Sequence, residues 1–220
     1  MLPLEVLPQI LPGDPMPMFA SWLADAKQRA SQPNPDSMVL ASVDNRGRPS
    51  ARVVLCKRVN VDAGYIVFFT NYFSRKGREL QAQPYASVVF HWDALHRQVR
   101  IEGQVTRSPE SESDEYFASR ALDSRVGAWA SEQSAPLESR DLLAERVRAV
   151  ADKFAIQPGT TDAHVPRPPH WGGFRLWAEA IEFWAEGANR VHDRAVWKRT
   201  LTRGTEGFQG GSWNATRLYP

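Results

Sequence analysis

The chain has one cysteine, Cys56, in 220 residues, so it can form no internal disulfide and has no Cys-rich set for zinc. That usage fits a reducing compartment, and a cytoplasmic protein is expected. No apolar run reaches the roughly 18 to 20 residues that span a bilayer. The apolar start has no basic lead and is broken by Pro3, Pro8 and Pro12, so neither an anchor nor a signal peptide is expected. Neither sign of charge dominates: 27 Lys and Arg against 25 Asp and Glu leave +2, with no basic tail. Nucleic acid is therefore not the default partner, while small anions remain open. GxGxxG, Walker-type and GxSxG loops are missing, as is any internal repeat, which removes the common nucleotide and hydrolase signatures. His91, His96, His164 and His170 have no ligand-type spacing, and no metal is expected.

What is present is ordinary globular composition, 42% hydrophobic and 10% aromatic, enough for one domain over 1–220 with a flexible segment at 1–13. Asp14 and Pro15 have the form of a helix start, and Met18, Phe19, Trp22, Leu23 and Ala26 recur at helical spacing to about Ala30. Runs at 38–43 and 51–56 flank a turn containing Asp44, Asn45 and Gly47, which predicts a hairpin. Further strands are expected at 65–70, 85–92 and 98–106, with a short helix at 74–81 ended by Pro84. Helices then cluster at 108–119, starting at Ser108 and Pro109, at 124–130 and at 138–154. After a Pro- and His-rich loop at 157–170 come β-type runs at 173–177, 180–185, 194–201 and 213–218, with glycines loosening the last turn. Strands grouped with strands, and helices grouped apart, give an α+β fold: an antiparallel β-barrel with helices packed outside.

Four groups of residues could carry chemistry. Arg52 sits on an apolar β run that Lys57 ends, so each needs an anion or a polar exit. Ser74, Arg75 and Lys76 open a short helix, where free N–H groups and two cations have the makings of a phosphate site, although on their own they read more readily as a solvated first turn. Tyr116, Arg120 and Ser124 are spaced so that one helical face could present all three to a phosphate. In IEFWAEGANRVHDR, Arg190, His192 and Arg194 alternate beside Trp184 and would share one strand face, where three cations repel unless an anion sits among them.

The blocks SARVVLCK, FFTNYFSRKGREL, RQVRIEG, YFASRALDSRVGAWASEQS, WGGFRL and IEFWAEGANRVHDR, in this order over nearly the whole chain, resemble the pyridoxamine 5′-phosphate oxidase family. The resemblance implies a Greek-key split barrel of the FMN-binding type, and a homodimer with FMN in clefts between subunits. It implies FMN contacts from Arg52, Val53, Val54, Leu55, Cys56, Lys57, Phe69, Thr70, Arg75, Lys76, Gln98, Gln133, Ser134, Trp184 and Arg194. Substrate phosphate would fall to Lys57, Tyr116, Arg120 and Ser124, with Arg190 and His192 over the pyridine ring as catalytic residues. The implied reaction oxidises pyridoxine or pyridoxamine 5′-phosphate to pyridoxal 5′-phosphate by hydride transfer to FMN, with O2 reduced to hydrogen peroxide.

The chain departs from that pattern in two ways. The Arg-Arg-x-Tyr segment that several members carry ahead of the first helix is missing from MLPLEVLPQILPG, and the loops at 157–170 and 202–211 look longer than the family core requires. Two other readings stand beside the main one: a related FMN oxidase of phenazine biosynthesis, and a protein that binds FMN or pyridoxal phosphate without turnover.

Overall fold

The computed structural model describes residues 6–29, 32–161 and 163–220. Asp14 accepts the Met16 N–H at 2.8 Å and opens α1 (Met16–Arg29), whose apolar stripe Met16, Phe19, Trp22, Leu23 and Ala26 is buried. The expected end at Ala30 lies outside the described residues. Each large side chain of that stripe removes enough apolar surface from water to contribute about 1.5–3 kcal/mol. Phe19 meets Phe90 at 5.1 Å and Trp22 meets Phe183 edge-on at 5.0 Å, so the helix closes the barrel interior.

The hairpin forms as β1 (Ser37–Val43) and β2 (Pro49–Leu55), paired from Ser37 opposite Leu55 to Val43 opposite Pro49. A three-residue β3 (Arg58–Asn60), too short to show a period, pairs with β4 (Tyr65–Asn71). The short helix is α2 (Arg75–Ala82), capped by the Ser74 hydroxyl accepting the Gly77 N–H, and β5 (Tyr85–Trp92) and β6 (Arg97–Arg107) follow. The three middle helices are α3 (Glu110–Ala118), α4 (Leu122–Ala130) and α5 (Arg140–Lys153). Pro109 precedes α3 without a side-chain cap, and the Ser108 hydroxyl is buried without a partner, so Ser108 does not play the capping part the sequence suggests.

The two runs expected at 173–177 and 180–185 are one strand, β7 (Trp171–Ala185). Along β6 the register steps from Glu102 opposite Ala180 to Gly103 opposite Ala178, leaving Glu179 as a bulge. Gly103 is required there, because a Cβ would lie 1.9 Å from the Trp177 carbonyl oxygen. The bulge splits the duty of β7: its first half pairs with β4, and its second half pairs with β8 (Asp193–Lys198). The run expected at 194–201 breaks after Lys198, and the glycine-rich stretch is a separate hairpin of β9 (Leu201–Gly204) and β10 (Gly207–Gly210). That hairpin lies on a small cluster of Tyr65, Val67 and Trp177. β11 (Asn214–Leu218) closes the chain against β8.

The main sheet therefore runs β11, β8, β7, β6, β5, β1, β2, with β4 attached to β7 and β3 to β4, an antiparallel curled sheet with five α-helices: α+β and split-barrel-like. Of the segment 1–13 expected to be flexible, residues 1–5 lie outside the described residues, and Leu7, Pro8 and Pro12 make hydrogen bonds to the last two strands of the sheet. Leu7 is buried and donates its N–H to Asp193 at 2.8 Å, Pro8 accepts from Arg217, and Pro12 accepts the Trp197 indole N–H at 2.8 Å. Among the described residues no helix is long and apolar enough to cross a membrane.

Candidate functional site

A cleft of about 690 Å³ opens where β2 and β4 face the helical lobe. The end of β2 runs along its wall with Arg52, Val53, Val54 and Leu55, β4 adds Phe69, Thr70 and Asn71, and α2 adds Lys76. Tyr116, Arg120 and Ser124 enter from the opposite side. They do not share one helical face. Tyr116 is on α3, Arg120 lies in the bend after it and Ser124 is on α4, and the corner between the helices makes them converge. Four cations, Arg52, Lys57, Lys76 and Arg120, line the cleft, and no carboxylate does among the described lining residues. Such a surface selects an anion.

Carboxylates stand behind two of these cations. Glu79, on α2, has a side chain only 5% exposed. Its Oε2 accepts from the Ser42 and Ser50 hydroxyls, both at 2.6 Å, and from Arg52 at 3.1 Å, while Oε1 accepts from Arg75 Nε at 2.8 Å. The same two hydroxyls accept from Arg52, closing a ring of charge-assisted bonds. Burial alone would raise the Glu79 pKa, but the bonds from Ser42, Ser50, Arg75 and Arg52 outweigh it and hold it at about 2. Lys57 is paired with Asp36 at 2.8 Å.

The other two cations have no such partner. Lys76 donates to Thr70 Oγ1 and Gln133 Oε1, both at 3.2 Å, and burial together with Arg52 pushes its ammonium below the ordinary lysine value. Arg120 stacks over the Trp171 ring at 4.7 Å, its Nη1 is buried without a hydrogen-bond partner, and burial lowers its pKa. A buried guanidinium nitrogen left unpaired is costly and is relieved by an incoming oxyanion. Beside it, Phe69 and Tyr116 stack at 4.1 Å and 16°, and Phe69 and Trp171 at 5.6 Å and 8°, forming a layered aromatic wall. Trp171 was open to sequence reading through the WGGFRL block but not picked out there. Glu79, Asp36 and Ser131, which also lines the cleft, carried no signal in the chain.

Several expected site residues lie elsewhere. Cys56 turns into the core, 1% exposed, with burial pushing its thiol up to about 12. Arg75 reaches Glu79 from outside the cleft, and Ser134 is an exposed residue in the left-handed region, with φ 72°. Gln98, Trp184, Arg190, His192 and Arg194 form a second group around β6, β7 and β8, separated from β2 in the sheet by β5 and β1. In that group Gln98 is opposite Trp184, Trp184 is opposite Arg194, and the His192 ring lies 4.6 Å from the Trp184 ring.

The shared strand face expected for Arg190, His192 and Arg194 does not exist. Arg190 ends a tight turn at φ 67°, and β8 begins only at Asp193. Of the three, Arg194 is paired within the chain: Glu182, buried on β7, accepts two bonds from it at 3.0 and 2.7 Å and one from Arg100 at 2.6 Å.

A family model described as pyridoxamine 5′-phosphate oxidase matches residues 24–154, and one described as the pyridoxine 5′-phosphate oxidase C-terminal dimerisation region matches 171–220. A pyridoxine/pyridoxamine 5′-phosphate oxidase of Paraburkholderia phytofirmans is 49% identical over 207 residues, 94% of this chain and 89% of that one. One of Gluconobacter oxydans is 47% identical over 211 residues, 96% of each chain. Among solved structures, PhzG from Burkholderia lata 383, in complex with tetrahydrophenazine-1-carboxylic acid, matches with a TM-score of 0.81 and 31% identity. That match covers 95% of this chain and 94% of PhzG.

Proposed function

The chain belongs to the pyridoxamine 5′-phosphate oxidase family, and on that premise we propose that it is an FMN-dependent oxidase converting pyridoxine 5′-phosphate and pyridoxamine 5′-phosphate to pyridoxal 5′-phosphate. The observation that carries this reading is the buried, unpaired Arg120 Nη1 in a cleft where Lys57, Tyr116 and Ser124 also converge. Two permanent cations and two hydroxyls make a site for a phosphate dianion remote from the reacting carbon.

The rest of the cleft fits FMN by the chemistry of its donors. Arg52 and Lys76, with Arg75 behind them, would take the flavin phosphate, and Thr70 and Gln133 would serve polar atoms. The β2 backbone at Val53, Val54 and Leu55 would border the ring system. Bound FMN supplies the hydride acceptor and the route by which O2 is reduced to hydrogen peroxide. The protein's own part is binding and orientation: Arg120 and Lys57 hold the substrate phosphate, and the aromatic wall excludes water from one side.

None of the second group lines this cleft within one chain, so the reading includes a homodimer in which the partner's Arg190 and His192 reach the substrate ring. The match to a dimerisation region supports it, as does the pairing of Val39 with Val53, two valines exposed on one sheet face. Likeness to PhzG supports a second reading, an oxidase acting on a larger aromatic acid.

Oxygen uptake by FMN-supplemented protein separates the two. Turnover confined to the phosphorylated pyridines is expected. Turnover of tetrahydrophenazine-1-carboxylic acid with none of the pyridines would replace the proposal.

A further inference from the structure

The backbone N–H of Gly187 points at Nδ1 of His192, 3.2 Å away. An amide can only donate, so this ring nitrogen offers its lone pair, and a neutral ring carries its proton on Nε2. The ring is fixed from a second side by Trp184, at 4.6 Å between centroids. The turn that brings these groups together closes through Val191 N–H to the Ala188 carbonyl and His192 N–H to the Arg190 carbonyl, both at 3.0 Å. It passes through two successive non-glycine residues in the left-handed region, Asn189 at φ 54° and Arg190 at φ 67°. Such conformations are uphill and persist only where neighbouring bonds hold them. Position 187 admits only glycine, since a Cβ there would stand 1.7 Å from the Val191 carbonyl oxygen. Nε2 has no protein partner among the described residues.

We infer that Gly187 is a positioning residue that locks His192 as the Nε2–H tautomer, so that its outer nitrogen presents a hydrogen-bond donor and not a base. This rests on the proposed function for the identity of the substrate, but not for the tautomer. A nitrogen that already bears a proton cannot remove one. Proton abstraction is thereby taken away from His192, whose Nε2 is left to donate to an acceptor.

Two measurements test the lock. In protein labelled with 15N-histidine, the His192 signals are those lost in His192→Gln. They should show an unprotonated, pyridine-type Nδ1 and a protonated Nε2. A proton on Nδ1 would overturn the inference whatever the enzyme does. The second measurement is kcat/KM on pyridoxine 5′-phosphate. Glutamine can place an N–H donor near the Nε2 position, whereas asparagine keeps an acceptor for Gly187 but has no donor that far out. His192→Gln should lose about tenfold and His192→Asn about a hundredfold. Equal losses, or the reverse order, would show that the donor is not what His192 contributes. If the wild-type protein turned over no phosphorylated pyridine, the proposed function would fall, while the spectrum would still decide the tautomer.

Discussion

Replacing Glu79 with glutamine removes a charge and little else, so it measures what the ring of bonds around Arg52 contributes to the fold. The carboxylate has a pKa of about 2 in the folded protein against an ordinary 4.5. That difference of roughly 2.5 units corresponds to about 3 kcal/mol at neutral pH. The sign follows from linkage. A carboxylate whose folded pKa is depressed stabilises the protein above its unfolded value, and the contribution fades as pH falls from about 4.5 towards about 2.

In Glu79→Gln the side chain no longer titrates, and Arg52 and Arg75 lose their shared counter-charge, so a loss of about 3 kcal/mol is expected at pH 7. By about pH 3 more than half of the wild-type advantage should be gone, because the wild-type carboxyl is by then paying part of its deprotonation cost. The assay is urea unfolding of both proteins at one fixed protein concentration, since association would otherwise shift the midpoints. A difference that stays constant between pH 7 and pH 3, or one under about 1 kcal/mol at pH 7, would refute the account of Glu79 as a buried, fully bonded anion.

Arg120→Met keeps the stacking volume over Trp171 but removes the unpaired nitrogen, so KM for phosphorylated substrate should rise by about a hundredfold or more with little change in thermal stability. An unchanged KM in steady-state kinetics would remove Arg120 from the phosphate site. Cys56, buried and with its thiol held near 12, should resist a thiol reagent at pH 8 in the native protein and react fully once the protein is unfolded in urea. Rapid labelling of the native protein would show that the core around β2 opens.

What the chain itself determined is local. Helical spacing at Phe19, Trp22, Leu23 and Ala26, alternation along the β runs and the Asp44 to Gly47 turn were enough for α1, the first hairpin and the α+β class, because periodicity reports directly which face is buried. The cations of the cleft were visible as charged residues on apolar runs, and the ordered blocks pointed to the family. Features that depend on distant partners were out of reach. Gly103 looks like any glycine until it faces Trp177 across a bulge, and that bulge joins two expected strands into β7 and lets it serve two different neighbours. Arg190 and His192 alternate in sequence as a strand would, yet they lie in a turn closed by the Ala188 and Arg190 carbonyls, with Gly187 bonded to the His192 ring.

Likewise, Glu79 and Asp36 carry no motif, and only the packing of α2 against β1 and β2 shows that Arg52 is held from behind while Arg120 is left without a partner. Burial along one element can be read from spacing. Which charges meet, and which one is left for a ligand, is set by contacts between residues far apart in the chain, and only the folded structure brings them together.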